Sequence, residues 1–223
     1  MKIGIYIYDQ AEVLDFAGPY EVFSTAARLT SLRSKPQVFL VGETGRMVTA
    51  RAGFCVQPHY GFNDCPALDV LIVVGGVHKA EMAKPQVLSW LSERAMGVDM
   101  VASVCTGVFL LAQAGIVQRG PVTTHWQDVE ELRHDFPHLE VVDHHPWVDQ
   151  GRLLTSAGIA AGIDMSLHVV QRLLGLDLAL AVAKQMEYAW NEASHLQSQN
   201  ATEVDGLRQG GPTHHNPLYG HVK

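Results

Sequence analysis

The feature that most constrains the fold is a run of apolar residues, Val70 to Val74, which ends at Gly75–Gly76. Alternating polar and apolar residues indicate a strand with one face in water, whereas a continuous apolar run indicates a strand that is covered on both faces. Residues 99–104 and 38–41 also read as buried strands, and residues 2–8 form a short, mostly apolar strand. Such strands are typical of a largely parallel sheet with helices on both faces.

Helical patterns separate these strands. Pro19 suits a first helical position, where its missing N–H costs nothing, so the first helix is predicted from about Gly18–Pro19 to Leu29. Further helices are predicted over 85–96, 106–114, 127–136, 163–174 and 177–191, and further strands over 122–124, twice within 140–156 around Gly151, and as a hairpin over 46–60 near Gly53. The predicted fold class is therefore α/β, with a doubly wound, mostly parallel sheet of the flavodoxin-like kind.

Composition limits the possible partners and compartments. The 223 residues are 47% apolar, which predicts one domain over 1–193, and the composition turns polar in a tail over 194–223. The net charge of -7 gives no basic face for nucleic acid. No apolar run is long enough for a membrane span, and the chain enters a strand pattern directly without a signal peptide. Three cysteines without a C-x-x-C pair fit reduced thiols, so we expect a cytoplasmic protein.

Cys105 is the first candidate for chemistry. It stands where a buried strand stops and a helix begins, and a sharp strand-to-helix turn is what presents a nucleophile at the edge of a sheet. The helix N-terminus favours a thiolate at this point. The alternative is a core cysteine, since free cysteines are often buried. Cys55 and Cys65 open no helix, and a structural role is expected for both.

Asp15 is the second candidate, because it is a carboxylate between two apolar residues, just after one predicted strand and just before the first predicted helix. It is either an N-terminal helix cap or a desolvated general acid that faces Cys105. The backbone N–H groups of Thr106 and of Gly75–Gly76 are candidates for stabilising a developing anion. His125 follows the strand after Cys105 and is a candidate base or electrostatic partner.

No cofactor or metal ion is predicted. The histidines at 134, 138, 144 and 145 match no zinc spacing. The glycine-spaced segment 156–164 follows a G-x-x-x-G pattern rather than a dinucleotide fingerprint, and there is no Walker sequence.

Five motifs together resemble the ThiJ/PfpI superfamily, which has the class I glutamine amidotransferase-like fold. They are Leu14-Asp15-Phe16-Ala17-Gly18-Pro19, Val73-Val74-Gly75-Gly76, Ser103-Val104-Cys105-Thr106-Gly107, Thr123-Thr124-His125-Trp126 and residues 158–164. The combination of Asp-x-x-Gly-Pro with Cys-Thr-Gly is most similar to the isonitrile hydratase branch. That resemblance implies hydration of an isonitrile to an N-substituted formamide, with Asp15, Cys105 and Thr106 as catalytic residues.

Two differences from other branches of the superfamily disfavour protease, chaperone and glyoxalase-like activities. Peptidase-like members carry His after the cysteine, where this chain has Thr106, and chaperone and glyoxalase-like members carry Glu at the position of Asp15. The same module resembles the N-terminal domain of AraC-type transcription regulators, so the alternative is a ligand-binding or redox-sensing module without turnover. The resemblance also implies a homodimer, with a small molecule as the other partner.

Overall fold

The computed structural model describes residues 1–31 and 35–190. The predicted polar tail, 194–223, lies outside the described residues, and the predicted domain boundary at 193 stays a prediction. The strands are β1 (Lys2–Tyr6), β2 (Gln37–Val41), β3 (Val48–Thr49), β4 (Cys55–Val56), β5 (Val70–Val73), β6 (Met100–Val104), β7 (Pro121–Val122), β8 (Glu140–Val141), β9 (Trp147–Asp149) and β10 (Leu153–Ser156). The helices are α1 (Val13–Leu29), α2 (Lys79–Met82), α3 (Pro85–Gly97), α4 (Gly107–Gln113), α5 (Val129–Asp135), α6 (Ala161–Leu174) and α7 (Leu176–Gln185).

The central sheet has six strands in the order β2-β1-β5-β6-β10-β9. All neighbouring pairs are parallel except β10 with β9. Every residue of β5 and β6 is buried, as the continuous apolar runs predicted. The helices α1, α6 and α7 contact one another, and α2, α3 and α4 form a second group. The predicted fold class, a mostly parallel sheet flanked by helices, is confirmed.

Two small sheets lie beside the central one. β3 and β4 form the predicted hairpin, with a 3-10 turn at Arg51–Gly53 between them. β7 pairs with β8 in a separate two-stranded sheet, so the expectation that the strand before His125 belongs to the central sheet is wrong.

The predicted helix bounds need two corrections. α1 begins at Val13 rather than Gly18, with Glu12 at the N-cap position, and Pro19 lies inside the helix. Pro19 has no N–H to donate to the carbonyl of Asp15, four residues earlier, so the helix lacks that hydrogen bond and its backbone must make room for the proline ring. α7 ends at Gln185, before the predicted end at 191, which itself is outside the described residues. In the described ranges, no helix combines the length and apolarity needed to cross a membrane.

Close packing between α4 and β5 gives a test of the fold. A Cβ atom added to Gly107 would lie 2.1 Å from the carbonyl oxygen of Val73. We expect Gly107→Ala to destabilise the protein by about 1–3 kcal/mol, because backbone atoms must move apart. At Gly97 of α3 an added Cβ meets nothing within 4 Å, so Gly97→Ala is the matched control and gains up to about 1 kcal/mol of helix propensity. Thermal unfolding of both variants measures the difference, and equal melting temperatures would contradict it.

Candidate active site

Cys105 lies in the turn between β6 and α4, with a backbone φ of 56° that L-residues seldom adopt. The neighbouring backbone holds it there. Its N–H donates to the carbonyl oxygens of Ser156 (3.2 Å) and Ala157 (3.3 Å), just after β10. Its own carbonyl accepts from the Thr124 hydroxyl at 3.0 Å. The strained turn is therefore held by two other segments of the chain, the end of β10 and the residues after β7.

Asp15 lies in the first turn of α1 and is fully buried. Its Oδ2 accepts a hydrogen bond from the Gly75 N–H at 3.0 Å. Its Oδ1 has no N–H or O–H donor among the residues that the structure describes. Burial raises the pKa of Asp15 to about 7, and the Gly75 hydrogen bond opposes that shift only in part. The N-cap position belongs to Glu12, so the helix-cap interpretation of Asp15 is wrong.

The thiol of Cys105 and the carboxylate of Asp15 lie close enough to affect each other's protonation, since Gly75 donates to Asp15 and packs against Cys105. A hydrogen bond from the thiol lowers the pKa of Asp15, although burial of the carboxyl group has the larger effect. Burial, followed by the charge of Asp15, raises the pKa of Cys105 to about 12. The N–H groups of Thr106 and Ile159 favour the thiolate, but they do not offset burial. The expectation of a resting thiolate is therefore wrong, since near neutral pH the sulfur keeps its proton.

Gly75 and Gly76 bring β5 against the turn at Cys105. A Cβ atom on Gly75 would lie 2.6 Å from the Thr106 nitrogen and 2.8 Å from the Cys105 Cβ, so only glycine allows this approach. The Gly75 N–H donates to Asp15, and the Gly76 N–H donates to the Thr106 hydroxyl at 3.0 Å. The Thr106 hydroxyl in turn donates to the Gly76 carbonyl at 3.2 Å. Both glycine amides, predicted to face an anion, thus have partners inside the protein.

His125 reaches the same place from outside the central sheet. Its Nδ1 accepts from the Gln127 N–H at 3.3 Å and lies 3.3 Å from Asp128 Oδ2. A Cβ atom on Gly158 would lie 2.0 Å from the imidazole ring, so the absence of a side chain there makes room for His125.

One cavity of about 360 Å³ contains four of the predicted residues, and its size lies at the lower end for small-molecule sites. Asp15 and Gly75 do not line it, because they lie beneath Cys105 and Gly76. The lining residues are Glu12, Arg51, Gly76, Val77, His78, Lys79, Cys105, Thr106, His125, Gln127, Asp128, Glu131 and Ile159. The sequence analysis missed the charged members of this set, because no local pattern distinguishes them from surface residues.

The remaining predicted groups lie elsewhere. Cys55 is exposed, Cys65 is buried, both are free, and neither lines the cavity. Within residues 1–31 and 35–190, no group of three His, Cys, Asp or Glu side chains is arranged to hold a metal ion.

Comparison with known proteins agrees with this architecture. The chain is 36% identical over 190 residues to an isonitrile hydratase of Pseudomonas putida. This match covers 85% of this chain and 79% of that protein. It is 28% identical over 196 residues to the HTH-type transcriptional regulator GbdR of Pseudomonas aeruginosa, and this match covers 87% of the chain but only 53% of the regulator.

A solved structure gives the same fold. A ThiJ/PfpI family protein from Pseudomonas syringae superposes with a TM-score of 0.75 at 23% identity, over 91% of this chain and 86% of that one. The sequence profile of the DJ-1/PfpI family matches residues 1–172. On these grounds the chain belongs to the DJ-1/PfpI family.

Proposed function

We propose that this protein is a cysteine-dependent isonitrile hydratase, which converts an isonitrile and water to an N-substituted formamide. The observation that carries the proposal is the buried Asp15 carboxylate next to Cys105, whose side chain lines a cavity of small-molecule size although Asp15 does not. The reaction adds a nucleophile and a proton to the same carbon, so it needs an acid–base group next to the nucleophile. The 36% identity to an isonitrile hydratase supports the same assignment.

In the first step the Cys105 sulfur attacks the terminal carbon of the isonitrile, and Asp15 accepts the thiol proton. Asp15 then gives that proton to the same carbon, which completes a thioimidate bound to the sulfur. One C–S bond and one C–H bond form, and one S–H bond breaks. This sequence suits the pKa order of the pair, because Asp15 is ionised while the thiol still holds its proton.

In the second step water attacks the thioimidate carbon, with Asp15 as the base. The proton taken from water passes to the nitrogen, and the C–S bond then breaks. The hydroxyl proton returns to the sulfur, so formamide leaves and the thiol is restored. The Thr106 N–H stabilises charge on the sulfur, and the Thr106 hydroxyl positions Gly76. His125 contributes a hydrogen bond to the substrate from the cavity wall.

A second candidate function is a ligand-sensing module without turnover. The 28% identity to a transcriptional regulator favours it. A sensor would take up one equivalent of isonitrile or undergo thiol oxidation, with no formamide released. Intact mass after incubation and dialysis, together with formamide quantification, distinguishes the two functions.

Replacing Cys105 tests the nucleophile. We expect Cys105→Ala to abolish formamide production from cyclohexyl isocyanide, because the covalent step is lost, while the melting temperature changes little. Cys55→Ala is the matched control, since that thiol is exposed and does not line the cavity. Product is measured by mass spectrometry under reducing conditions. Turnover by Cys105→Ala at the wild-type rate would refute the covalent mechanism.

The protonation of Asp15 gives the next prediction. We expect kcat/KM to fall about tenfold per pH unit below about pH 7, since protonated Asp15 cannot accept the thiol proton. Asp15→Asn should abolish turnover, and Asp15→Glu should lower it about a hundredfold, because one methylene misplaces the carboxylate by about 1 Å. Steady-state kinetics across pH 5 to 9 measures both effects.

Stability provides the control for Asp15. Its folded pKa lies above its unfolded value of 3.8, so the folded state holds the proton more tightly, and stability declines as pH rises from about 4 to about 7. The decline is on the order of a few kcal/mol. Asp15→Asn should remove this decline. An active Asp15→Asn variant with an unchanged pH dependence of unfolding would contradict the assigned role.

The homodimer also stays a prediction. We expect sedimentation at micromolar concentration to give about twice the 24.4 kDa mass of one chain. A mass near that of a single chain would refute it.

A further inference from the structure

The charged side chains around Cys105 bear on which isonitriles the cavity accepts. An alkyl substituent is normally held by apolar and aromatic side chains. Within the described part of the chain, only Val77 and Ile159 bring purely hydrocarbon side chains to this cavity. Arg51, Lys79, Glu12 and other polar residues form the rest of the lining. The cavity is therefore built for a polar substituent.

Most of these charges neutralise one another. Lys79 Nζ lies 2.7 Å from Glu131 Oε1, which is a close ion pair. Arg51 is paired more loosely, because its Nε lies 3.7 Å from Glu12 Oε2, which is an ion pair without a hydrogen bond. Its guanidinium makes no hydrogen bond to any residue within 1–31 and 35–190. Those residues therefore leave its N–H donors unsatisfied, while the Glu12 carboxylate partly neutralises its charge.

The backbone fixes Arg51 beside the site. Its N–H donates to the Ala11 carbonyl at 3.0 Å, which joins the turn at Arg51–Gly53 to the segment before α1. His125 also lines this cavity, with its Nδ1 near both the Gln127 N–H and Asp128 Oδ2. The lining holds three carboxylates, those of Glu12, Asp128 and Glu131, so the feature that favours an anion is the unsatisfied guanidinium of Arg51, whose planar fork matches the two oxygens of a carboxylate.

Resting on the proposed function, we propose that the enzyme selects isonitriles whose N-substituent carries a carboxylate, with Arg51 as the specificity-determining residue. The isonitrile carbon reaches Cys105, and the carboxylate binds the guanidinium on the side of the cavity that Glu12 and Arg51 form.

The test compares isocyanoacetate with its ethyl ester, which differ in charge but share the reacting group. We expect kcat/KM to be at least about tenfold higher for isocyanoacetate, the size of effect that a charged hydrogen bond gives. Arg51→Gln should bring the ratio of the two values close to one, mainly through KM for isocyanoacetate. Arg51→Lys keeps the charge but loses the planar fork, so it should give an intermediate ratio. Arg46→Gln, at a separate cavity, is the control and should keep the wild-type ratio.

The outcomes separate this inference from the proposed function. Turnover of the ester at least as fast as isocyanoacetate, or a ratio that Arg51→Gln leaves unchanged, would overturn the inference and leave the hydratase standing. A preference for an ammonium-bearing isonitrile would also overturn it and would assign Glu12 instead. Failure to turn over any isonitrile would overturn the hydratase. Calorimetry with N-formylglycine and its ethyl ester then decides the inference, which fails if wild type does not bind the acid more tightly or if Arg51→Gln retains that preference.

Discussion

The interaction on which the rest of the site depends is the buried contact between the Asp15 carboxylate and the Cys105 thiol. Water is excluded from Asp15, and a single backbone N–H, from Gly75, stabilises its charge. That balance leaves the pKa of Asp15 near neutrality, while burial and the same charge hold the pKa of Cys105 far higher. Above about pH 7 the two groups therefore hold one exchangeable proton between them. A proton confined to a dry pair is well suited to moving from sulfur to a carbon that the sulfur has just attacked.

This contact requires backbones to approach more closely than side chains permit. Gly75 places the end of β5 against Cys105 and Thr106, Gly107 places the start of α4 against Val73, and Gly158 leaves room for the imidazole of His125. An added Cβ would collide at each position. The positive φ of Cys105 persists because hydrogen bonds from the segment after β10 and from Thr124 hold its backbone.

In the proposed mechanism, reactivity and selectivity come from different parts of the molecule. The proposed reacting pair lies at the end of β6 and the start of α1, where buried residues surround it. The charged lining comes from connecting segments: Arg51 from the turn between β3 and β4, Lys79 from the short helix α2, and Glu131 from α5. Connecting segments change with little cost to the core, so one scaffold can retain its chemistry while its substrates differ.

The sequence by itself determined the parallel sheet, because strands covered on both faces must be apolar throughout, and it identified Cys105, Asp15 and Gly75 at strand and helix ends. The sequence also predicted that His125 lies near Cys105, and both residues line the cavity. This holds although the strand before His125 belongs to a separate sheet, because the path of the chain after that strand brings His125 back to the cavity. The sequence predicted the start of α1 at about Gly18–Pro19 and so missed the first turn of this helix, which contains the buried Asp15. The preference of proline for a first helical position is a local rule and carries no information about tertiary contacts. Only the tertiary structure decided that the Cys105 thiol keeps its proton and that Arg51 lines the same cavity as Cys105. The burial of a side chain and the identity of its neighbours depend on residues that are distant in the sequence.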